Sequence, residues 1–256
     1  VMVLVFDVGN TNVVLGGYQG ETLIFTFRSY TDRNRTADEY NLHIRAILQS
    51  RGIALSDITG GMISSGVPLL TQSLSRAFEM LFGQIPLVVG PGIKTGLNIA
   101  IDDPAELGSD LVASAVASLA KYSCPTILID MGTATTISAL DQNGVFRGCS
   151  IHPGMRISLE SLCAHAAALP DISLSTPYHV IGTNTRESMR SGVMYGAAAM
   201  IDGIIKRMEA ELGAPATVVA TGGLAREVAQ LARHHIIYDE NLILEGINIL
   251  YRKNAK

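Results

Sequence analysis

Val1-Met2-Val3-Leu4-Val5-Phe6-Asp7-Val8-Gly9-Asn10-Thr11-Asn12 is the stretch whose reading decides the fold. Its first six residues are a short apolar run that ends in turn chemistry, the pattern of a buried strand. Asp7 then stands at the mouth of a sheet. Gly9 lets the backbone turn and lets a ligand come close. Asn10, Thr11 and Asn12 supply side-chain donors and acceptors. Val13-Val14-Leu15 resumes strand character, so the polar stretch reads as the tip of a hairpin rather than a strand-to-helix turn. A single Asp-x-Gly is ordinary turn chemistry and decides nothing by itself.

It occurs twice. Thr126-Ile127-Leu128-Ile129 leads into Asp130-Met131-Gly132-Thr133-Ala134-Thr135, and strand residues return from Thr136 to Leu140. The first copy turns at Gly16 to Gly20 and returns through Thr22 to Phe27. The second turns at Asp141-Gln142-Asn143-Gly144 and returns through Val145 to Gly148. A duplication of this period predicts two related domains facing each other, not a solenoid. Two such tips could grip one polyphosphate, with carboxylates holding cations and backbone N–H groups and hydroxyls holding phosphate oxygens.

The remaining pattern alternates helix and strand, an α/β arrangement. Thr31 to Thr36 is a polar loop that caps a helix from about Ala37 to Arg51, with Tyr40, Ile44, Ile47 and Leu48 on one face. Arg33 and Arg35 in that loop read first as solvated charges. Gly90-Pro91-Gly92-Ile93-Lys94-Thr95-Gly96 is neither a Walker loop nor a dinucleotide fingerprint, because its glycine spacing fits neither. It can still carry Lys94 toward an anion. Gly108-Ser109-Asp110 enters an Ala- and Val-rich helix, and N–H groups at such a start favour an anion. Asp110 reads either as a helix-dipole carboxylate or as a base toward a substrate alcohol.

Further on, Gly148 to Gly154 reads as a turn-rich loop, followed by a helix from Met155 to Ala168. His152 has no carboxylate partner in view, and His165 reads as a packed or surface residue. Ile181 to Thr185 caps a long helix, Arg186 to Leu212, on which Gly192, Gly196 and Ala199 allow another helix to approach. Thr221-Gly222-Gly223 is a strand-to-helix junction that can lie flat against a base or ribose. The domain boundary falls near Tyr122 to Thr126.

With 256 residues, 48% hydrophobic and 16% charged, the chain can fill two small cores. A formal net charge of −4 argues against nucleic acid as a partner. No membrane span is expected; the longest apolar candidate, Val193 to Ile205, is too short and carries Asp202. No leader is visible. Cys124, Cys149 and Cys163 lack paired spacing, which favours free thiols in a reducing cytoplasm over disulfides or zinc.

These pieces together resemble the type III pantothenate kinases, members of the superfamily of acetate kinase, sugar kinases and actin. The matching residues are Asp7 to Asn12, Pro91 to Gly96, Gly108-Ser109-Asp110, Asp130 to Thr135, Pro153-Gly154, Asn184-Thr185, Thr221-Gly222-Gly223 and Asn241 to Gly246, in order over the whole chain. The resemblance implies two actin-like (ribonuclease H-like) domains, 1–122 and 123–256, each a mixed sheet with flanking helices. It implies a cytoplasmic homodimer that phosphorylates pantothenate with ATP, the first step toward coenzyme A. In that reading Asp7, Val8, Gly9, Asn10, Thr11, Asn12, Val13 and Val14 hold the ATP phosphates, with Asp7 at magnesium. Thr133 contacts ATP, and Asp130 binds a monovalent cation, potassium or ammonium. Asp110 is the base, and Gly108, Ser109, Asp110, Leu111, Ile101 and Thr185 surround the acceptor. Three positions depart from the family pattern: Leu111 stands for an arginine, Ile101 for a tyrosine and Ser114 for an asparagine. All three fall on the acceptor side, so a nucleotide-binding protein acting on another small alcohol, or serving a regulatory role, stays open. Lys94, Arg147 and Arg156 are candidates to replace the missing charge.

Overall fold

Residues 1–166 and 168–255 are described by the structure, a computed structural model. The first unit is built on strands β1 (Met2–Val8), β2 (Asn12–Gln19), β3 (Thr22–Tyr30), β4 (Ile58–Ser65) and β5 (Leu87–Val88), with helices α1 (Ala37–Ser50), α2 (Pro68–Phe82) and α3 (Ser109–Lys121). The second holds β6 (Thr126–Met131), β7 (Ala134–Leu140), β8 (Phe146–Pro153), β9 (Thr217–Gly222) and β10 (Ile237–Tyr238), with α4 (Met155–His165), α5 (Thr185–Leu212) and α6 (Ala225–Leu231). Helix α7 (Leu242–Asn254) closes the chain.

The two sheets repeat one topology. Their orders are β3-β2-β1-β4-β5 and β10-β9-β6-β7-β8. Each begins with an antiparallel hairpin, Val8 facing Val13 in one and Met131 facing Thr135 in the other. Each then adds a parallel neighbour on the far side of its first strand, β4 on β1 and β9 on β6. Both Asp-x-Gly stretches are hairpin tips, as their flanking strand residues require.

In the first unit, alternate residues Met2, Leu4, Phe6 and Val8 share a core with Val13, Leu15 and Phe25 of the neighbouring strands and with α1 and α2. Thr36 caps α1 through a reciprocal box with Glu39, and Tyr40, Ile44, Ile47 and Leu48 are its buried face. In the second unit, Ile127, Ile129 and Met131 pack under Met194, Ala198, Ile201 and Ile205 of α5.

The boundary falls after Ala120 rather than Tyr122, and the compact units differ from a single cut in two further places. The segment from Asn241 onward belongs with the first unit, and Asn98–Asp102 belongs with the second. α7 lies on β1 and β4, with Leu244, Ile247 and Leu250 buried. Its Gly246 presses on the backbone of Ala113 in α3, leaving no room for a Cβ. Asn98 and Ala100 pair their backbones with Phe146.

Gly148 to Gly154 is not a loop. Residues up to Pro153 form the edge strand β8, whose exposed and less exposed residues alternate. Its glycine, serine and proline content hides that alternation, and a proline at the end of an edge strand costs no ladder bond. Helix α4 ends at His165, short of Ala168, and Ala167 lies outside the described residues. The long helix starts at Thr185, with the Asn184 side chain accepting from Glu187 N–H.

Gly246→Ala must push α7 off α3, and overpacking of this kind costs about 1–3 kcal/mol. A fall in the urea midpoint is expected; an unchanged midpoint would contradict this contact.

Candidate active site

The first tip is closed by Gly9 N–H donating to the Asn12 carbonyl at 2.9 Å. Thr31 then fastens it twice: its hydroxyl donates to the Gly9 carbonyl at 2.7 Å and its N–H to the Thr11 carbonyl at 2.9 Å. Arg33 donates to the Asn10 side-chain oxygen at 3.0 Å. Three carbonyl oxygens are thereby turned to internal bonds and away from any anion placed at the tip. Thr31 was not singled out by the sequence, where it reads only as loop polarity.

Asp7 lies one residue before that tip, opposite Val14 on β2 and Ser64 on β4. Residues directly opposite one another project from the same sheet face. The Ser109 hydroxyl oxygen accepts from the Ser64 hydroxyl at 2.9 Å and from Ser65 N–H at 3.0 Å. Ser109 thus pins the start of α3 to the end of β4, and its successor Asp110 comes within electrostatic range of Asp7. The Asp110 carboxylate accepts from Leu111 N–H at 2.9 Å. A Cβ at position 108 would stand 2.5 Å from that carboxylate, so Gly108 leaves the space it needs.

Burial, and then the Asp110 charge, push the Asp7 carboxyl up from its ordinary value to about 7, with Arg28 opposing the rise. Two carboxylates that Arg28 compensates only in part make a hard-oxygen site. A divalent cation such as magnesium fits it, since it binds through one or two carboxylates together with substrate phosphates. No group of three or more metal-ligating side chains occurs among the described residues, so such an ion would draw its other ligands from substrate and water.

The second tip has a different chemistry on the same frame. Asp130 lies opposite Thr136 and Thr221, which places two hydroxyls beside its carboxylate on one face. The Thr136 hydroxyl is buried with no hydrogen-bond partner among the described residues. One carboxylate among neutral oxygens suits a monovalent cation. Gly132 N–H donates to the Ala134 carbonyl at 3.1 Å, and Gly154 N–H to the Thr133 carbonyl at 3.1 Å. Gly222, at φ +104°, lies so close to the Met131 backbone that a Cβ would stand 2.5 Å from its carbonyl.

Thr185 belongs to the second unit, at the start of α5 and on the wall of a cavity of about 570 Å³. Thr135 and His152, opposite one another on β7 and β8, also line it, with Met155, Met189 and Val193. The His152 ring lies 3.0 Å from the Ser150 hydroxyl. Reading residues 148–154 as a loop hid this pairing; the alternation of Ser150 and His152 was the signal available. Of the predicted site residues, Asp7 to Val14 and Gly108 to Leu111 come together in the first unit, whereas Ile101, Asp130, Thr133 and Thr185 lie in the second.

A sequence model described as type III pantothenate kinase matches residues 3–207. A type III pantothenate kinase of an Exiguobacterium species is 44% identical over 255 residues, covering all of both chains. One from a Geobacillus species is 45% identical, covering 99% of this chain and 98% of its own. The chain belongs to the type III pantothenate kinase family. Its fold is also that of a putative 2-dehydro-3-deoxygalactonokinase from Sinorhizobium meliloti, at a TM-score of 0.61 and 11% identity, covering 99% of this chain and 97% of that one. This places both units in the actin-like and sugar kinase fold class.

Leu111 and Ser114 lie on the first turns of α3, after Asp110. Ser114 is buried and its hydroxyl donates back to the Asp110 carbonyl at 2.8 Å. Of the candidate replacement charges, Arg147 stands 3.8 Å from Asp141. The Lys94 backbone is held by the Asn254 side chain at 2.8 and 3.0 Å.

Because the folded value of Asp7 lies above that of an unfolded carboxyl, folding takes up a proton between about pH 4 and pH 7. Stability of the ligand-free protein is lost on this account as pH rises through that window. A carbon-13 titration should place the Asp7 midpoint near neutrality. Asp110→Asn should lower that midpoint without returning it to the ordinary value, because burial remains. A midpoint near 4 in the parent protein would contradict the pairing.

Proposed function

We propose that this chain transfers the γ-phosphoryl group of ATP to the primary hydroxyl of pantothenate, giving 4'-phosphopantothenate for coenzyme A synthesis. Family membership supports the activity, and the Ser109–Ser64 hydrogen bond, which ties the start of α3 and Asp110 to the residue opposite Asp7, is the single observation that supports its assignment to these residues. Asp110, at the start of α3, takes the proton from the hydroxyl as it attacks phosphorus. Asp7 and the tip from Val8 to Val14 hold the phosphates, with Asp7 at magnesium. Magnesium, when bound, neutralises charge on the phosphates. Gly108 contributes space for the Asp110 carboxylate, Ser109 its position, and Leu111 and Ile101 apolar surface near the acceptor.

In the second unit, Thr133 contacts ATP, and Asp130 with the Thr136 and Thr221 hydroxyls holds potassium or ammonium. Thr185 contacts pantothenate across a homodimer. The dimer is supported by the outer face of α5, where Gly192, Gly196 and Ala199 are exposed and no atom lies within 4 Å of a Cβ built on either glycine. Tyr178 and Ile181, just before α5, are 92% and 83% exposed. We place the reaction in the cytoplasm, a compartment that suits three unbridged cysteines. No helix of the described residues is long and apolar enough to cross a membrane.

A second reading is favoured by one observation. Leu111 stands where a guanidinium would recognise the acceptor, and leucine offers no donor. An acceptor that lacks pantothenate's carboxylate would suit that surface. A coupled assay of ADP release with magnesium and potassium, run first with pantothenate and then with a panel of small alcohols, separates the two readings. Turnover of pantothenate is expected; ATP binding without turnover at millimolar pantothenate would reject it. Asp110→Asn should abolish turnover and leave ATP affinity within about twofold. Sedimentation should give a dimer mass, and Gly196→Arg on the α5 face should give a monomer.

A further inference from the structure

We infer that Arg28 is a phosphate-binding residue of the Asp7 site, holding the phosphate chain of the nucleotide on the side away from Asp110. The inference rests on the kinase reading and adds a residue to it.

Register carries the argument. Asp7 is opposite Val14, and Val14 is opposite Arg28. Paired residues on neighbouring strands share a face, so Arg28, Val14, Asp7 and Ser64 form one row across four strands. Two strand spacings separate the backbones of Arg28 and Asp7, about 10 Å, a span an arginine side chain largely covers. Val14 between them is short enough not to screen one from the other. The Arg28 charge is in fact felt at the Asp7 carboxyl.

Arg28 is exposed, and among the described residues its guanidinium has no hydrogen-bond or ion-pair partner. Its neighbours in sequence are engaged: Arg33 bonds Asn10, and Arg35 lies over the Tyr40 ring at 5.5 Å. The fold does not require a cation in this row. In the duplicated sheet the same position, opposite Thr136, is held by Ile151, 69% exposed. A charge has therefore been placed in one unit only, beside the carboxylate assigned to phosphate and magnesium.

The order of the row sets which substrate Arg28 meets. Ser64 and the start of α3, with Asp110, lie on the β4 side of Asp7. Arg28 lies on the β3 side. If Asp110 receives the acceptor's proton, Arg28 flanks the phosphoryl group from the opposite side, where the nucleotide's own phosphates extend. A guanidinium there can bind phosphate oxygens in pairs.

The test compares Arg28→Gln and Arg28→Lys with the parent protein. Calorimetric titration with ATP, ADP and AMP in magnesium comes first, followed by steady-state kinetics in both substrates. For Arg28→Gln, ATP and ADP should bind about 10-fold or more weakly, AMP should change less than about twofold, and kcat should fall about 100-fold. KM for pantothenate should stay within about twofold, and Arg28→Lys should recover part of each loss. Matching urea midpoints are expected; if Arg28→Gln lowers the midpoint, the comparison of Arg28→Lys with the parent decides. Unchanged ATP affinity, an equal loss for AMP, or a change confined to the KM of pantothenate would each overturn the assignment. The titrations need no turnover, so a protein that fails to phosphorylate pantothenate still decides the role of Arg28.

Discussion

Two carboxylates held near each other, partly out of water and with little opposing charge, are the constraint on which the first unit is built. Left to themselves, Asp7 and Asp110 would move apart or keep a proton, and Asp7 does keep one up to about pH 7. The backbone gives them no freedom to separate. Asp7 is held in β1 between two paired strands. Asp110 is held because the Ser109 hydroxyl oxygen accepts from both Ser64 and Ser65 N–H. On the other side, α3 is backed by α7, where Gly246 allows contact with the Ala113 backbone. The unfavourable pairing is thus offset by packing and hydrogen bonds elsewhere.

The duplication separates what the fold needs from what the chemistry needs. Both sheets share strand order, an antiparallel first hairpin and an aspartate near the end of the first strand. Around that aspartate the rows diverge. Asp7 has Val14 and Ser64 as neighbours, with Arg28 beyond; Asp130 has Thr136 and Thr221, with Ile151 beyond. The first row sets positive against negative charge. The second surrounds one negative charge with neutral oxygens. Two sheets of the same strand order therefore surround their aspartates with different side chains on one face.

Much of this was legible in the sequence because it depends on local pattern. The hairpins follow from apolar runs flanking Asp-x-Gly, and α1 from the spacing of Tyr40, Ile44, Ile47 and Leu48. What escaped depends on partners far apart in sequence. The return of α7 to the first unit rests on Gly246 meeting Ala113, which no local period reports. Strand β8 was hidden because Gly148, Ser150 and Pro153 carry turn chemistry while occupying an edge. Arg28 and Thr31 carry only strand-end and loop polarity in the sequence; the register of three strands and the closure of the tip are what set them near Asp7 and Gly9.

In the proposed reaction, leucine rather than a guanidinium at position 111 bears on choice of acceptor more than on phosphoryl transfer. The reaction asks for alignment and for neutralisation of charge spread over the phosphoryl oxygens. The hydrogen bonds that fix Ser109 and close the first tip do not involve the Leu111 side chain. Neutralisation needs positive charge near Asp7, and Arg28 stands in the same row of the sheet. Leu111 presents a partly buried apolar side chain directly after Asp110 on α3, with no donor for a carboxylate. A carboxylate on the acceptor would gain nothing from that surface and must find its partner on another element. On the proposed reading, charge toward the nucleotide would come from the sheet and selectivity toward the acceptor from the helix, so the two could change independently.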